Sequence, residues 1–138
     1  MARGRAEREL LASTDDVWAF LAEPHHLPDW WPGLSGVEPD RRGAAAGARW
    51  RVRGSEPGWL RRADTGDTLL VTAAEPRRRF AFELVARKLR VDLRLEPTDA
   101  GHTAAILTVE QPWPASPRRL AREAVSRLYD LCQTAAGL

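Results

Sequence analysis

The feature that most constrains the fold is a capped helical pattern that breaks into a segment rich in proline and tryptophan. Ser13 is a good helix N-cap, because its hydroxyl can accept a hydrogen bond from a free backbone amide of the first turn. Three apolar residues then follow at helical spacing: Val17, Phe20 and Leu21. Pro24 ends the pattern, since proline cannot donate the hydrogen bond that would continue the helix. The sequence therefore predicts one short N-terminal helix.

The segment after this helix cannot form a long regular element. Between Pro24 and Pro39 stand four prolines and two glycines, which exclude a long helix or a central strand. We expect a short helical turn around residues 26–30, followed by a loop. Before the helix, residues 5–12 alternate weakly between charged and apolar side chains, which predicts a first strand.

From Gly47 onward the apolar period changes to two residues, which indicates β-strands. Five segments carry this pattern: residues 47–53, 68–74, 80–86, 89–96 and 102–110. Short connections with turn chemistry join them, so we expect an antiparallel meander of neighbouring strands. In the first of these strands the alternation predicts Trp50 on the inner side and three arginines on the outer side, Arg49, Arg51 and Arg53.

The C-terminal part of the sequence predicts a second, longer helix. Ser116 stands at the cap position, Pro117 at the first helical position, and Gly137 where such a helix would end. Apolar residues fall along one face: Leu120, Ala124, Leu128, Leu131 and Ala135. A long helix with a single apolar stripe needs a partner surface, and a curved antiparallel sheet supplies it. The residues thus predict an α+β architecture.

This order of elements resembles the START-like (SRPBCC) superfamily, and within it the polyketide cyclase/dehydrase-like proteins. The most specific stretches are Val-Trp-Ala-Phe-Leu at 17–21 and Leu-Pro-Asp-Trp-Trp-Pro-Gly at 27–33, and the likeness runs from Glu9 to about Leu131. The resemblance implies a helix-grip fold in which a curved antiparallel sheet wraps the long C-terminal helix, with a short N-terminal helical segment. Residues 1–138 would then form a single ligand-binding domain with a cavity between sheet and helix.

The resemblance implies binding of an apolar small molecule, lipid-like or polyketide-like, in that cavity. It also allows cyclase, aromatase or dehydratase activity on a polyketide-like substrate. An alternative is a non-catalytic protein-interaction or co-chaperone-like module, since the superfamily includes such members. No nucleophile elbow, phosphate loop or dinucleotide fingerprint occurs in the sequence. Binding and catalysis therefore both stay open.

Tryptophan usage gives the best local indication of a ligand site. Six of the ten aromatic side chains are tryptophan. Indole offers a wide apolar surface and one N–H donor, which suits an apolar pocket for a rigid ligand with few polar groups. Trp18 and Trp31 are expected to pack in the core. The residues predicted to line the pocket are Trp30, Trp50, Trp59, Phe82, Val91 and Leu128.

Candidate catalytic residues are few. If the protein is an enzyme, His26 is the candidate proton shuttle and Arg61 the candidate stabiliser of an enolate or carboxylate, because Arg61 would share a strand face with Trp59. His25 and Asp29 accompany His26, but a third or fourth metal ligand is not evident. We expect no metal and no cofactor.

The strand pattern also predicts where two acidic residues point. Glu83 and Asp92 alternate with Phe82 and Val91, so if the apolar pair faces the helix, both carboxylates face water. The inner face is then poor in acids and bases, which favours binding over catalysis.

The amino-acid composition limits the classes of partner and the cellular compartment that we expect for this protein. The net charge is only +2, and the arginines are scattered among acidic residues, so no nucleic-acid partner is expected. The single cysteine, Cys132, is expected to be a buried inert thiol and fits a reducing cytosol. No signal sequence or run of 18 apolar residues occurs, so we expect a cytoplasmic protein without membrane insertion. The richness in arginine and alanine suggests a bacterial coding background.

Overall fold

The computed structural model of the protein describes residues 1–54, 66–112 and 116–136, and for 134–136 only the backbone. The helices are α1 (Thr14–Leu21), α2 (Leu27–Trp30) and α3 (Pro117–Ala136), with a 3₁₀ turn at Pro24–His26. The strands are β1 (Ala2–Leu10), β2 (Leu34–Glu38), β3 (Arg49–Gly54), β4 (Gly66–Glu75), β5 (Arg79–Leu84), β6 (Leu89–Pro97) and β7 (Thr103–Gln111).

The seven strands form one antiparallel sheet in the order β1-β7-β6-β5-β4-β3-β2. Helix α3 packs mainly against β1 and β7, and it also contacts α2. Helices α1 and α2 connect the two edge strands of the sheet. The predicted helix-grip fold is confirmed.

Local signals set the limits of the N-terminal helices as predicted. The Ser13 Oγ accepts a hydrogen bond from the backbone N–H of Asp16 at 3.2 Å, so α1 begins one residue later. The helix ends before Pro24, which instead opens the 3₁₀ turn capped by Glu23. The short helical turn expected around residues 26–30 is α2.

Two N-terminal strands differ from the expectation. The first strand covers Ala2–Leu10 rather than residues 5–12. The segment expected to be a loop contains β2, a five-residue strand that pairs with β3 and carries an irregularity between Leu34 and Gly36. The loop expectation was wrong because prolines flank this strand without interrupting it, and an edge strand tolerates them.

The five strands predicted after Gly47 are present, with their ends shifted by only a few residues. In β3 the burial alternates as expected: Trp50 and Val52 are buried, and the three arginines of the strand are exposed. The side facing α3 is called the inner face below, and the opposite side the outer face.

Helix α3 approaches the sheet closely at Gly4 of β1. A Cβ atom added there would overlap the backbone of Pro117 and Arg118, so only glycine fits. Farther along β1, the Arg8 guanidinium lies 3.6 Å from the centre of the Tyr129 ring, a cation–π contact between the strand and the helix. The first strand and the last helix are therefore joined along their length.

The buried face of α3 is rotated slightly about the helix axis from the apolar face that the sequence predicted. Leu128 and Ala124 are buried as expected, whereas Leu120 and Leu131 are only partly buried. Ala121, Val125 and Cys132 complete the buried stripe instead. Two alanines at the centre of the stripe leave room for close packing of the helix on the sheet. Ala135 belongs to the residues whose side chains are not described.

Candidate functional site

The inner face of the sheet carries a cluster of large aromatic side chains. Each of them is at most 1% exposed. The cluster, called the aromatic cluster below, consists of Trp30, Trp31, Trp50, Phe80 and Phe82.

Phe82 is the centre of this cluster. Its ring lies 6.1 Å from that of Trp30 and 5.4 Å from that of Trp31, both in edge-to-face geometry, and 5.8 Å from Phe80. Trp50 in turn stacks on Phe80 at 6.0 Å. Edge-to-face pairs place the positive ring edge against the negative ring face and leave flat faces directed elsewhere. The five rings thus form a buried, closely packed apolar cluster on the inner face.

The indole N–H of Trp50 is already used by the protein. It donates to the Gly43 carbonyl oxygen at 2.9 Å, in the loop before β3. Asp40 organises that loop, because its carboxylate accepts from the backbone N–H of Arg49 at 2.8 Å and of Arg42 at 2.9 Å. The backbone hydrogen bond from Arg49 is the main cause that lowers the pKa of Asp40. A ligand could therefore contact only the ring of Trp50, because the indole N–H is already bound to the Gly43 carbonyl oxygen.

The predicted pocket residues converge in one core. Trp30, Trp50, Phe82, Val91 and Leu128 are all buried members of the same hydrophobic cluster. Their contact with a ligand stays a prediction. The sixth predicted residue, Trp59, lies outside the described residues. The two tryptophans expected in the core also pack there, Trp31 fully buried and Trp18 half-buried at the edge of Phe80.

His26 is half-buried and held by Phe20 of α1. Its Nδ1 lies 2.9 Å from the Phe20 carbonyl oxygen, and its ring stacks on the Phe20 ring at 4.3 Å. A carbonyl only accepts hydrogen bonds, so Nδ1 carries the proton and Nε2 is the basic nitrogen of the neutral ring. The other candidate catalytic residue, Arg61, lies outside the described residues. A catalytic role for either residue stays a prediction.

One acidic residue on the inner face was not predicted. The side chain of Asp67 is 3% exposed and faces the same side as Leu69 and Val71. Its Oδ1 accepts hydrogen bonds from the backbone N–H of Thr68 at 2.7 Å and of Ala86 at 2.8 Å. Within the described part of the chain, nothing donates a hydrogen bond to its Oδ2.

Asp67 was missed because β4 begins two residues earlier than the sequence predicted. The expected strand began at residue 68, whereas β4 begins at Gly66 and includes Asp67 in the inward series. Extending the alternation of Leu69 and Val71 by two residues would have found it. The inner face is thus poor in acids, but it holds one. Glu83 and Asp92 lie on the outer face as expected, paired with Arg90 and Arg79.

The surface carries two open grooves of about 960 Å³ and 620 Å³, the larger on the outer face and the smaller at the β2 side of the sheet. The larger crosses β4 to β7 and β1 and is bordered mainly by charged side chains in cross-strand ion pairs. The smaller crosses β2 to β4 and has mixed walls, with Arg51 and Arg53 beside apolar side chains such as Val37 and Val52, and Asp67 also lines it. The charged walls of the larger groove suit an apolar ligand poorly.

The remaining sequence expectations concern metals, thiols and membranes. Within residues 1–54, 66–112 and 116–133, no group of three or more His, Cys, Asp or Glu side chains could hold a metal ion. Cys132 is buried, and burial, followed by the nearby Asp16 charge, raises the pKa of its thiol. Among the described helices, none is long and apolar enough to cross a membrane.

Comparison with solved structures gives the same fold. The protein DR_A0006 from Deinococcus radiodurans is 19% identical, with a TM-score of 0.74 over 100% of both chains. NE0264 from Nitrosomonas europaea is 18% identical, with a TM-score of 0.70 over 99% of this chain and 97% of its own. XoxI from Bacillus cereus is 10% identical, with a TM-score of 0.71 over 99% of each chain. These likenesses concern the fold alone.

Comparison at the level of sequence is more specific. Among curated proteins, none matches the chain. A family model described as "Polyketide cyclase / dehydrase and lipid transport" matches residues 1–133. That span takes in every described strand and nearly all of α3. The chain therefore belongs to the polyketide cyclase/dehydrase and lipid-transport family.

Proposed function

We propose that residues 1–138 act as one domain that binds an apolar, lipid-like or polyketide-like molecule between the inner face of the sheet and α3. The aromatic cluster carries this proposal, because it concentrates flat apolar surface at the centre of the inner face. Val91 and Leu128 extend that surface onto β6 and α3. Family membership supports the same ligand class, since the family is described by polyketide chemistry and lipid transport.

Burial of apolar surface would drive entry of a flat molecule among the rings. A ligand that buries about 200 Å² of apolar surface gains about 5 kcal/mol at roughly 25 cal/mol per Å². Part of this gain offsets the ring contacts that the ligand replaces and the entropy lost on association. Binding should therefore change the surroundings of Trp30 or Trp31.

Binding without chemistry is the simpler form of the proposal. The acid on the inner face, Asp67, has one oxygen committed to two backbone N–H groups. The candidate base, His26, is committed at Nδ1 to a carbonyl. Of the catalytic candidates that lie in the described part of the chain, His26 could act through its Nε2 in a cyclase or dehydratase. We place the protein in the cytoplasm, with no nucleic-acid partner.

Native mass spectrometry and a fluorescence titration test this proposal. The purified protein is first analysed for co-purified small molecules, then titrated with 1-anilinonaphthalene-8-sulfonate while tryptophan emission is recorded. We expect saturable binding with a change in tryptophan emission. Phe82→Leu should alter the Kd at least several-fold, because Phe82 touches both Trp30 and Trp31.

Phe20→Leu is the matched control for this titration. It makes the same substitution in an aromatic residue that stacks on His26, away from the aromatic cluster. It should leave the Kd unchanged. A wild-type protein that carries no small molecule and does not bind the dye would overturn the proposal and favour the protein-interaction module. Turnover of a poly-carbonyl substrate that His26→Ala abolishes would favour the cyclase.

A further inference from the structure

Asp67 is the one described side chain with a fully enclosed polar atom that lacks a hydrogen bond. An unsatisfied buried acceptor destabilises a protein, more so when it is charged. Native structures therefore retain few of them, and each needs a physical reason. Two backbone N–H groups satisfy Oδ1, but they do not account for the burial of Oδ2 without a hydrogen-bond donor.

Among the described residues, Arg87 pairs with the charge of Asp67 without satisfying Oδ2. Arg87, in the turn between β5 and β6, places its Nε 3.9 Å from Oδ2, which is beyond hydrogen-bond distance. Its guanidinium lies against Gly54, so close that a Cβ atom on this glycine would overlap it. The Gly33 carbonyl oxygen lies near the place that this Cβ atom would occupy. About a third of the Arg87 side chain is exposed. Arg87 is thus a partly exposed ion-pair partner of Asp67.

Asp67 lies next to the aromatic cluster. In the register of β3 and β4, Val52 is opposite Asp67 and Trp50 is opposite Leu69. Two residues along a strand span about 6.6 Å, so a molecule lying on Trp50 can reach the Asp67 carboxylate. The inner-face neighbours of Asp67 in this register, Val52 and Leu69, are buried and apolar.

We propose that Oδ2 of Asp67 accepts a hydrogen bond from a hydroxyl group of the ligand. This proposal rests on the proposed function and narrows its substrate class to hydroxylated apolar molecules, phenols or alcohols. A neutral donor fits better than an ammonium group, because Arg87 already balances the charge of Asp67. The two backbone N–H groups fix the carboxylate in place before the ligand arrives, which lowers the entropic cost of the contact.

Paired ligands test the hydroxyl contact directly. 2-Naphthol and 2-methylnaphthalene have nearly the same shape, and only the first donates a hydrogen bond. Each is used to displace 1-anilinonaphthalene-8-sulfonate from the wild-type protein. We expect 2-naphthol to bind at least about tenfold more tightly, as hydrogen bonds to charged groups typically allow. Asp67→Asn should lower the ratio of the two affinities several-fold, because its amide keeps the acceptor for the backbone but offers the hydroxyl only a neutral N–H donor in place of the charged Oδ2.

Asp92→Asn is the matched control, since it changes an aspartate of the outer face, and it should keep the ratio of the wild type. Arg87→Gln removes the guanidinium charge beside Asp67 and should keep or increase the preference for 2-naphthol. Equal affinities in the wild type, or a preference that Asp67→Asn retains, would overturn the proposal and leave apolar binding intact. Failure of the wild type to bind the dye at all would instead overturn the proposed function.

A measurement on the wild type covers the case in which Asp67→Asn does not fold. The ¹³C shift of the Asp67 carboxylate should move on addition of 2-naphthol and much less on addition of 2-methylnaphthalene. Equal responses to both compounds would overturn the hydroxyl contact.

Discussion

The two faces of strands β5 and β6 use the same backbone for different purposes. On the inner face Phe82 lies opposite Val91, and both are almost completely buried. On the outer face Glu83 lies opposite Arg90, and Asp92 is bound by Arg79. Burial of apolar area contributes several times more free energy than an exposed ion pair does. The inner face therefore contributes most of the stability, and it is also where we propose that the ligand binds.

The largest effect is expected at the centre of the inner face. Phe82→Ala should lower the free energy of unfolding by about 3–5 kcal/mol, because it removes a buried ring that contacts three other rings. Urea denaturation followed by circular dichroism measures this loss. A loss below about 1 kcal/mol would mean that the aromatic cluster is loosely packed, contrary to its burial.

The contact between β1 and α3 should respond nearly as strongly. Gly4→Ala should cost about 1–3 kcal/mol or more, since its Cβ would overlap the backbone of Arg118, which cannot give way as a side chain can. Gly36→Ala is the control, because nothing lies within 4 Å of the added atom. Thermal unfolding of both variants gives the comparison. Equal melting temperatures would show that α3 adjusts its position freely.

The outer face should tolerate the loss of its best ion pair. Asp92→Asn removes two hydrogen bonds with Arg79, at 2.7 Å and 3.1 Å. About a third of each side chain is exposed, so we expect a loss below about 1 kcal/mol that shrinks further at high salt. Urea denaturation at low and at high ionic strength checks this. A loss comparable to that of Phe82→Ala would contradict the division between the two faces.

The smallest effect is expected at the rim between the faces, where Asp40 holds the loop that carries Gly43. The pKa of Asp40 is lower when the protein is folded, so its contribution is present above the unfolded pKa and is lost as pH falls through the folded pKa. At pH 7 the wild type should melt slightly above Asp40→Asn. The difference should vanish at a pH below the folded pKa. A difference that persists in acid would show that the carboxylate charge is not its cause.

The sequence predicted those parts of the fold that depend on local periodicity. The cap at Ser13, the alternation around Trp50 and the long helix after Pro117 all depend on nearby residues. Strand β2 was missed, because an edge strand of five residues with Gly36 at its centre has too short a pattern. The hydrogen bond from Trp50 to Gly43 was also out of reach, since it depends on a loop with positive φ at that glycine.

The candidate site was predicted in part for the same reason. Phe82, Val91 and Trp50 were assigned to the inner face from strand parity, and they are buried there. Asp67 was missed because the beginning of a strand is harder to predict than its middle. Nothing in the sequence pairs Asp67 with Arg87, because the turn that carries Arg87 folds back onto β4 only in the complete sheet.

The pairing of β1 with β7 has a consequence for biosynthesis. Residues 2–10 are synthesised well before their sheet partner, residues 103–111, and before helix α3. Until then β1 is an unpaired edge that could associate with another chain. Its charged residues, among them Arg3, Arg5 and Glu7, oppose such association while the strand waits. The sheet therefore closes only after β7 has been made, and we expect the charges of β1 to limit aggregation until then.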